Sequence, residues 1–394
     1  MTDLLKWCYY RLFVLPVSLL ARIRPVKKNR VVFLELRAAA LSENGRELYD
    51  ALKREGTWDL HIHLFLQGSA SRAAVCLRQL KFLWDVQTAN YIVYNESSSF
   101  TGAVPKRRGT KIMNTWHGCG AFKKFGYSVV TKRFGETEKS IRRFPLHPPY
   151  DLVTVSSPEV VWAFEEAMGE AAKGHVKPVG VSRTDVFFRS AAIQAAKEKL
   201  RNLHPEIEGK IVVLYAPTFR GSIEHPKAPE APDYEALPEG FAFVIRNHPF
   251  VRESTDPHPS TMSEHDTSKV VAVNADPSLT ISELMMAADI CITDYSSLIF
   301  EYALLEKPLL FYQNDLEDYD EERGFYYPYE ELIPGPVLHD TESLGRALRE
   351  ASECFDPSGI RAFKEKFMSS CDGCATERII REFFRDPDQI DRDQ

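Results

Sequence analysis

An α/β fold of two doubly wound, Rossmann-like domains is predicted by three observations. Short apolar runs alternate with helix-like stretches, which implies mostly parallel sheets covered on both faces. The alternation restarts after a helix near 191–202, so there are two such sheets. Polar motifs follow several strands directly, at the edge where open α/β sheets hold ligands.

In the first half VVFLE (31–35) is a buried-strand run, followed by helix-like sequence around Glu47–Arg54. LHIHLFL (60–66), YIVY (91–94), KIMNTW (111–116) and DLVTVS (151–156) are further strands, and Ser157-Pro158 opens a helix over 159–169. In the second half IVVLYAP (211–217), FAFVIRN (241–247), KVVAVN (269–274), DICITD (289–294) and PLLFY (308–312) are strands. SLTISELMMAA (278–288) and SLIFEYALLE (297–306) are helices, and 218–238 reads as a loop. The expected division is 1–30 as an interfacial helix, 31–190 and 191–340 as the two domains, and 341–394 as helices able to cross back to the first domain.

The 394 residues suit two ordinary domains. A net charge of −7 argues against general nucleic-acid binding. Locally the balance differs. Residues 1–30 carry seven Lys or Arg against Asp3, and residues 103–143 carry eleven against Glu136 and Glu138. Acidic residues gather at Asp315–Glu322 and in the last nine positions. Two basic zones on an acidic chain predict an anionic surface and an anionic ligand as partners. Seven cysteines at irregular spacing are no disulfide framework and point to a reducing compartment. Cys371 and Cys374 form a CxxC without a second pair, so packing and capping roles are expected of them.

WCYYRLFVLPVSLLARIRP, near the N-terminus, is interrupted by Arg11, Pro16, Ser18 and Arg22, too often for the run of about 20 apolar residues that a spanning helix needs. Arg11, Ser18 and Arg22 fall within about 40° on a helical wheel, with aromatic and apolar residues elsewhere. The segment reads as an interfacial helix on an anionic leaflet. The alternative is a helix packed on its own domain.

Four strand-end motifs carry chemistry. NTWHGCGAFKKFGY presents His117 with Lys123 and Lys124, a set suited to phosphate and to moving a proton. A packed histidine beside solvated lysines is the alternative. IRNHPF offers Arg246 and His248 as phosphate donors. ITDYSSLIFEYALLEKPLLFY places Asp294, Ser296 and Ser297 at a helix start, where N–H groups hold anions, with Glu301 one turn on to accept from polyol hydroxyls or to face solvent. In DYDEERGFYYPYEELIPGPV, Arg323 is a planar fork for phosphate, and Phe325, Tyr326 and Tyr327 can wall a base. VGVSRTDVFF adds Arg183 and Asp185, either functional or a hinge salt bridge. HExxH, P-loop and GxGxxG patterns are missing, so no metal or cofactor is required, although Mg²⁺ accompanies many diphosphates.

In this order WHG with its lysines, SRTD, YAPTFR, RNHP, TDYSS and RGFYY…PGP resemble the signature blocks of the CDP-glycerol:poly(glycerophosphate) glycerophosphotransferase family. The resemblance covers roughly residues 110–340 and implies a GT-B-type fold with a cleft. It implies a CDP-glycerol or CDP-ribitol donor on the second domain, and a polyprenyl-diphosphate-linked or other membrane-anchored acceptor. It also implies functional histidines at His117 and His248, and phosphate contacts from Ser296, Ser297 and Arg323. The place of action it implies is the cytoplasmic face of the cell membrane, peripherally bound, in teichoic-acid or capsule synthesis. LRAAALSENGREL (36–48) departs from the family's Gly- and Asn-Pro-rich loop and leaves the acceptor's identity open. The expected reaction passes a polyol phosphate to a hydroxyl and releases CMP, with His117 as base and His248, Arg246, Arg323 and the serines on the donor. A nucleotide-sugar glycosyltransferase and a non-catalytic lipid-surface scaffold are the alternatives.

Overall fold

The computed structural model describes residues 3–65, 72–130, 137–222, 225–251 and 270–385. The acidic tail at 386–394, the strand ends Leu66 and Lys269, and Lys132, Arg133 and Glu136 of the basic zone lie outside the described residues. The chain divides into two compact units. Unit 1 comprises Met1–Cys119, Lys124–Asp185 and Ser369–Gln394, and unit 2 comprises Gly120–Lys123 and Val186–Met368.

Unit 1 is built on β1 (Lys27–Glu35), β2 (Asp59–Leu64), β3 (Ala89–Tyr94), β4 (Lys111–Asn114), β5 (Leu152–Thr154) and β6 (Val176–Lys177). They pair in parallel in the order β2-β1-β3-β4-β5-β6. The last six residues of β1 are buried, as a strand covered on both faces requires. Helix Glu43–Glu55 covers one face with Leu48 and Leu52; it starts at the Ser42 cap and stops at Gly56, left-handed at φ 72°. Helix Ala375–Phe384 lays Ile379, Ile380, Phe383 and Phe384 into the same core beside Val31, Phe33, Tyr91 and Val93. Asp185 holds its start, accepting from the N–H groups of Ala375 (2.9 Å) and Thr376 (2.8 Å). The change of unit therefore falls after Asp185 rather than at 190, and residues 341–368 stay with unit 2.

Unit 2 is built on β7 (Ile211–Tyr215), β8 (Arg220–Gly221), β9 (Pro226–Lys227), β10 (Phe241–Ile245), β11 (Val271–Asn274), β12 (Ile290–Thr293), β13 (Leu309–Tyr312) and β14 (Val337–Leu338). Its main sheet is parallel in the order β11-β10-β7-β12-β13-β14, and β8 and β9 form an antiparallel ribbon inside the stretch read as loop. Val213, Phe243, Ile292 and Leu310 bury against Leu344 and Leu348 of helix Thr341–Glu353. Gly120 belongs here by necessity: at φ 65° a Cβ would meet the Phe300 ring at 2.3 Å.

Several strands end about two residues earlier than their apolar runs suggest, although the first N–H past the end still reaches a neighbouring main-chain carbonyl, as at Phe65, Thr115, Ala216 and Arg246. Helix Arg72–Thr88 is not signalled by periodicity: Phe82, Leu83 and Val86 are buried but Val75 and Leu77 are exposed.

The N-terminal helix runs from Asp3 to Tyr9, widens to a π turn over Tyr10–Val14, and continues over Leu15–Ala21. Pro16 has no N–H to give the carbonyl four residues back, which accounts for the widening. The face of Ser18 and Arg22 is not a lipid-facing polar face. Ser18 is buried with Val14 and Ala21, and Arg22 donates to Gln87 (2.8 Å) and to the carbonyls of Pro105 and Lys106. Of the expected polar set only Arg11 is exposed, together with Leu4, Leu5, Trp7, Leu12, Leu19, Leu20 and Ile23. Asp3–Ala21 is a single helix long and apolar enough to cross a membrane by length and composition alone.

His147 gives unit 1 a pH dependence. Its ring is buried, 3.1 Å from the Tyr150 hydroxyl, and burial pushes its pKa down to about 4. Below its ordinary value of 6.5 the unfolded chain takes a proton that the folded chain refuses, so stability falls as pH drops from 6.5 towards 4. The expected loss is about 3 kcal/mol. Denaturant unfolding across this window should show a shallower pH slope in His147→Asn than in the native protein; equal slopes would place the dependence elsewhere.

Candidate active site

In doubly wound sheets the ligand crevice opens where the strand order reverses. In unit 2 that point lies between β7 and β12, and in unit 1 between β1 and β3.

At the unit 2 point the segment after β7 delivers Thr218, Phe219 and Arg220. Arg220 is the centre of a charged network. It pairs with Asp294 at 2.9 Å and with both oxygens of Asp315, and donates to the Thr218 carbonyl at 2.8 Å. Its guanidinium lies 5.0 Å from the Tyr295 ring centre and 5.1 Å from that of Tyr319. Burial opposes its charge, but Asp315 and Asp294 outweigh this and hold it firmly protonated. Asp294 also accepts from the N–H groups of Thr218 (2.8 Å) and Tyr295 (2.6 Å).

Beside this network Arg323 lies 4.4 Å from the Phe219 ring centre and 5.2 Å from that of Tyr319, and donates to the Gly221 carbonyl. Lys123 donates to the Tyr319 hydroxyl at 3.1 Å, and its backbone bridges to Phe325. His248 packs between Phe219 (4.7 Å) and Phe250 (4.8 Å). Burial first, then the cations Lys123 and Arg323, push its pKa down to about 4. Its Nδ1 accepts from the Phe250 N–H at 3.2 Å, which leaves the proton of the neutral ring on Nε2. A neutral N–H donor between two cations and two aromatic rings is a site for an anion carrying a ring.

In unit 1 the loop after β4 carries His117, which is exposed. Its ring lies 4.3 Å from that of Trp116, and Arg183 donates to its carbonyl at 2.9 Å. Lys124 is half-buried in the same unit. At the reversal point Glu35, buried, accepts from the Ser42 N–H (2.8 Å) and hydroxyl (2.6 Å) and from Asn95. Burial raises its pKa against those donors.

Several residues expected to touch ligand do other work. Asp294 is buried and binds Arg220, so its carboxylate is not turned to phosphate, which it would repel. Glu301 is buried, so it does not face solvent. Asp185 caps a helix and makes no hinge salt bridge with Arg183. Arg246 is half-buried and donates to the Leu279 carbonyl. The helix after Ser297 spans only Leu298–Ala303, since Glu306 turns left-handed at φ 53° before Lys307-Pro308; its dipole is correspondingly small. Ser296 accepts from the Leu298 N–H (3.3 Å) and keeps its own O–H to donate. Tyr326 is buried, Phe325 packs on Phe122 and Tyr319, and Tyr327 packs on Phe367; the rings beside His248 are Phe219, itself buried, and Phe250, which is exposed. Arg220 and Phe219 were missed by sequence reasoning although they end the YAPTFR block. All seven cysteines are free, and among the described residues no group of three or more His, Cys, Asp or Glu is placed to hold a metal.

Fold and site define a transferase of the GT-B type, with two Rossmann-like units. The chain belongs to the CDP-glycerol:poly(glycerophosphate) glycerophosphotransferase family, whose sequence model matches residues 17–385. It is 35% identical over 372 residues to a teichoic acid ribitol-phosphate primase of Bacillus spizizenii, covering 92% of each chain. It is 32% identical over 367 residues to a teichoic acid poly(ribitol-phosphate) polymerase of the same organism, covering 91% of this chain and 56% of that protein. Among solved structures, a variant of the wall teichoic acid polymerase TagF superposes with a TM-score of 0.74 at 22% identity, covering 98% of this chain and 95% of that one, which establishes the shared fold.

Removing the Arg220 charge should be costly, since it leaves Asp294 buried without its cation. Arg220→Met is expected to destabilise unit 2 by about 3–5 kcal/mol. Adding Asp294→Asn should recover part of that loss in thermal melts. A single variant that melts like the native protein would contradict the network's role.

Proposed function

We propose that this chain moves a polyol phosphate from a CDP-activated donor to a hydroxyl of a membrane-anchored acceptor and releases CMP. The observation that carries the reading is the unit 2 cluster of Lys123, Arg323 and neutral His248, walled by Phe219, Phe250 and Tyr319. It offers two cations and an N–H donor to a diphosphate, and the exposed Phe250 ring lies beside them for a base. The relatives' names add ribitol phosphate as the group to test first.

In this reading the acceptor oxygen attacks the phosphorus that bears the polyol. The new P–O bond forms as the bond to the CMP oxygen breaks, and the hydroxyl proton passes to the His117 imidazole. Charge gathers on the departing CMP, where Arg323, Lys123 and the His248 Nε2–H stabilise it. Ser296 adds a hydroxyl donor. Incubation with CDP-ribitol, CDP-glycerol and UDP-sugars plus a lipid-linked acceptor tests the reaction: CMP release supports it, and UDP release supports a sugar transferase.

The two histidines are expected to differ. His117→Ala should lower kcat by about 10²–10⁴-fold, as loss of a general base does, with CMP binding intact. His248→Ala should weaken CMP binding as well as the rate, because its contact exists before the transition state. Calorimetry with CMP beside steady-state rates decides between them. The reversed pattern would exchange the roles.

Attachment to the cytoplasmic membrane face belongs to the same proposal. Leu4, Leu5 and Leu12 on the N-terminal helix, and Ile23 in the turn after it, are exposed apolar side chains. Lys6 and Arg143 flank Phe144, at 4.6 and 5.4 Å from its ring, and Arg142 adds a further basic side chain nearby in sequence. Such a surface binds anionic bilayers peripherally. Leu5→Glu with Leu12→Glu should sharply reduce sedimentation with anionic vesicles and leave transfer to a soluble acceptor analogue unchanged. Undiminished sedimentation would assign attachment to another surface.

A further inference from the structure

Trp116 has φ 53°, a left-handed backbone that a bulky residue adopts only when its surroundings impose it. Two asparagines impose it. Asn114, fully buried, accepts the Trp116 N–H at 2.7 Å. Asn44, also buried, donates its amide to the Trp116 carbonyl at 2.8 Å. The indole is held on one side by Phe125, stacked at 4.5 Å, and on the other meets the His117 ring at 4.3 Å.

We propose that Asn44 is a positioning residue for His117, acting through the Trp116 and His117 backbone; this rests on the reading of His117 as the proton acceptor. The amide of Asn44 is used at both ends. While Nδ2 donates to Trp116, Oδ1 accepts the Arg183 N–H at 3.1 Å, and the Arg183 guanidinium in turn donates to the His117 carbonyl. One side chain therefore sets the carbonyl of residue 116 directly and that of residue 117 through Arg183. The Asn44 backbone carbonyl also accepts from the Ser182 hydroxyl at 3.0 Å, which fixes the 182–183 segment against the helix start. Glu35 secures that start by holding Ser42, the cap of helix Glu43–Glu55. Asparagine is demanded because the position needs a donor and an acceptor together; aspartate supplies only acceptors and leucine neither. The imidazole direction is thereby fixed before substrate arrives, which is where a small misplacement is expensive in rate.

Asn44→Leu and Asn44→Asp test this. Aspartate keeps the acceptor for Arg183 and loses the donor to Trp116. Both variants should lose kcat by roughly 10²-fold, the scale of a misplaced catalytic group. The donor KM and CMP affinity should stay within about twofold, since unit 2 is untouched. A rate loss that only tracks the folded fraction in thermal melts would reduce Asn44 to a structural residue and overturn the proposal, as would a native kcat in Asn44→Asp. Should neither variant fold, Arg183→Gln, at a half-buried position, breaks the second arm; about a tenfold drop in kcat with unchanged CMP affinity and a native melting temperature supports the proposal, and an unchanged kcat overturns it. Wild-type turnover checks the functional reading separately: no CMP release by the native protein removes the reaction, whereas an active native protein with an unimpaired Asn44→Asp removes only the positioning role.

Discussion

Parallel pairing is the constraint from which most of this structure follows. Every strand of a parallel sheet must be re-entered from the same end, so all carboxyl ends fall on one edge and all crossovers cover the faces. The faces become apolar, as the buried runs of β1 and β10 show. The edge is then where a polar side chain can leave the ladder without losing a backbone partner inside the sheet. Within unit 2 this gathers Phe219 and Arg220, His248, Asp294 and Asp315 from four separate strands onto one edge. Within unit 1 it gathers Glu35, Asn95 and His117.

Charge burial orders each edge further. Arg220 is tolerated beneath Tyr295 and Tyr319 because two carboxylates and a carbonyl receive its N–H groups. That arrangement holds the ends of β7, β12 and β13 in register with one another and leaves Arg323 and Lys123 as the neighbouring cations. His248, beside them, stays neutral. A neutral imidazole needs no counter-ion of its own; burial is the main reason it is neutral, and the cations Lys123 and Arg323 add to it. Unit 1 uses uncharged amides for the same purpose, with Asn114 and Asn44 holding the peptide groups on either side of the Trp116 Cα.

The fold was legible because parallel strands buried on both faces read as bare apolar runs, and the strands at Val31, Ile211, Phe241 and Ile290 are of that kind. Helix Arg72–Thr88 was not, since its apolar residues are spread round the helix and partly exposed. The positions of His117 and His248, each three residues past a strand, were legible from motif and apolar run together. For Asp294, Glu301 and Asp185 the alternatives stayed open for one shared reason: a sequence shows that a carboxylate lies near a strand end or helix start, but not whether it points outward or back into the protein. Arg220 escaped notice because its partners are distant, Asp315 standing 95 residues away. The N-terminal helix was read with its polar stripe outward, whereas Arg22 finds its hydrogen bonds in the Gln87 side chain and the carbonyls of residues 105 and 106.

The closing helix of unit 1 also bears on how the protein is made. Ile379, Ile380, Phe383 and Phe384 complete a core whose other members, Val31, Phe33, Leu48 and Val93, emerge from the ribosome long before. Asp185 waits for Ala375 across about 190 residues, roughly ten to forty seconds of synthesis at typical rates. By the end of that interval unit 2 has all its strands, while one face of the unit 1 sheet is still covered by helix Glu43–Glu55 without its neighbour. The nascent chain therefore completes its second unit before its first. The half-covered face of the first is the surface that a chaperone would meet on the ribosome.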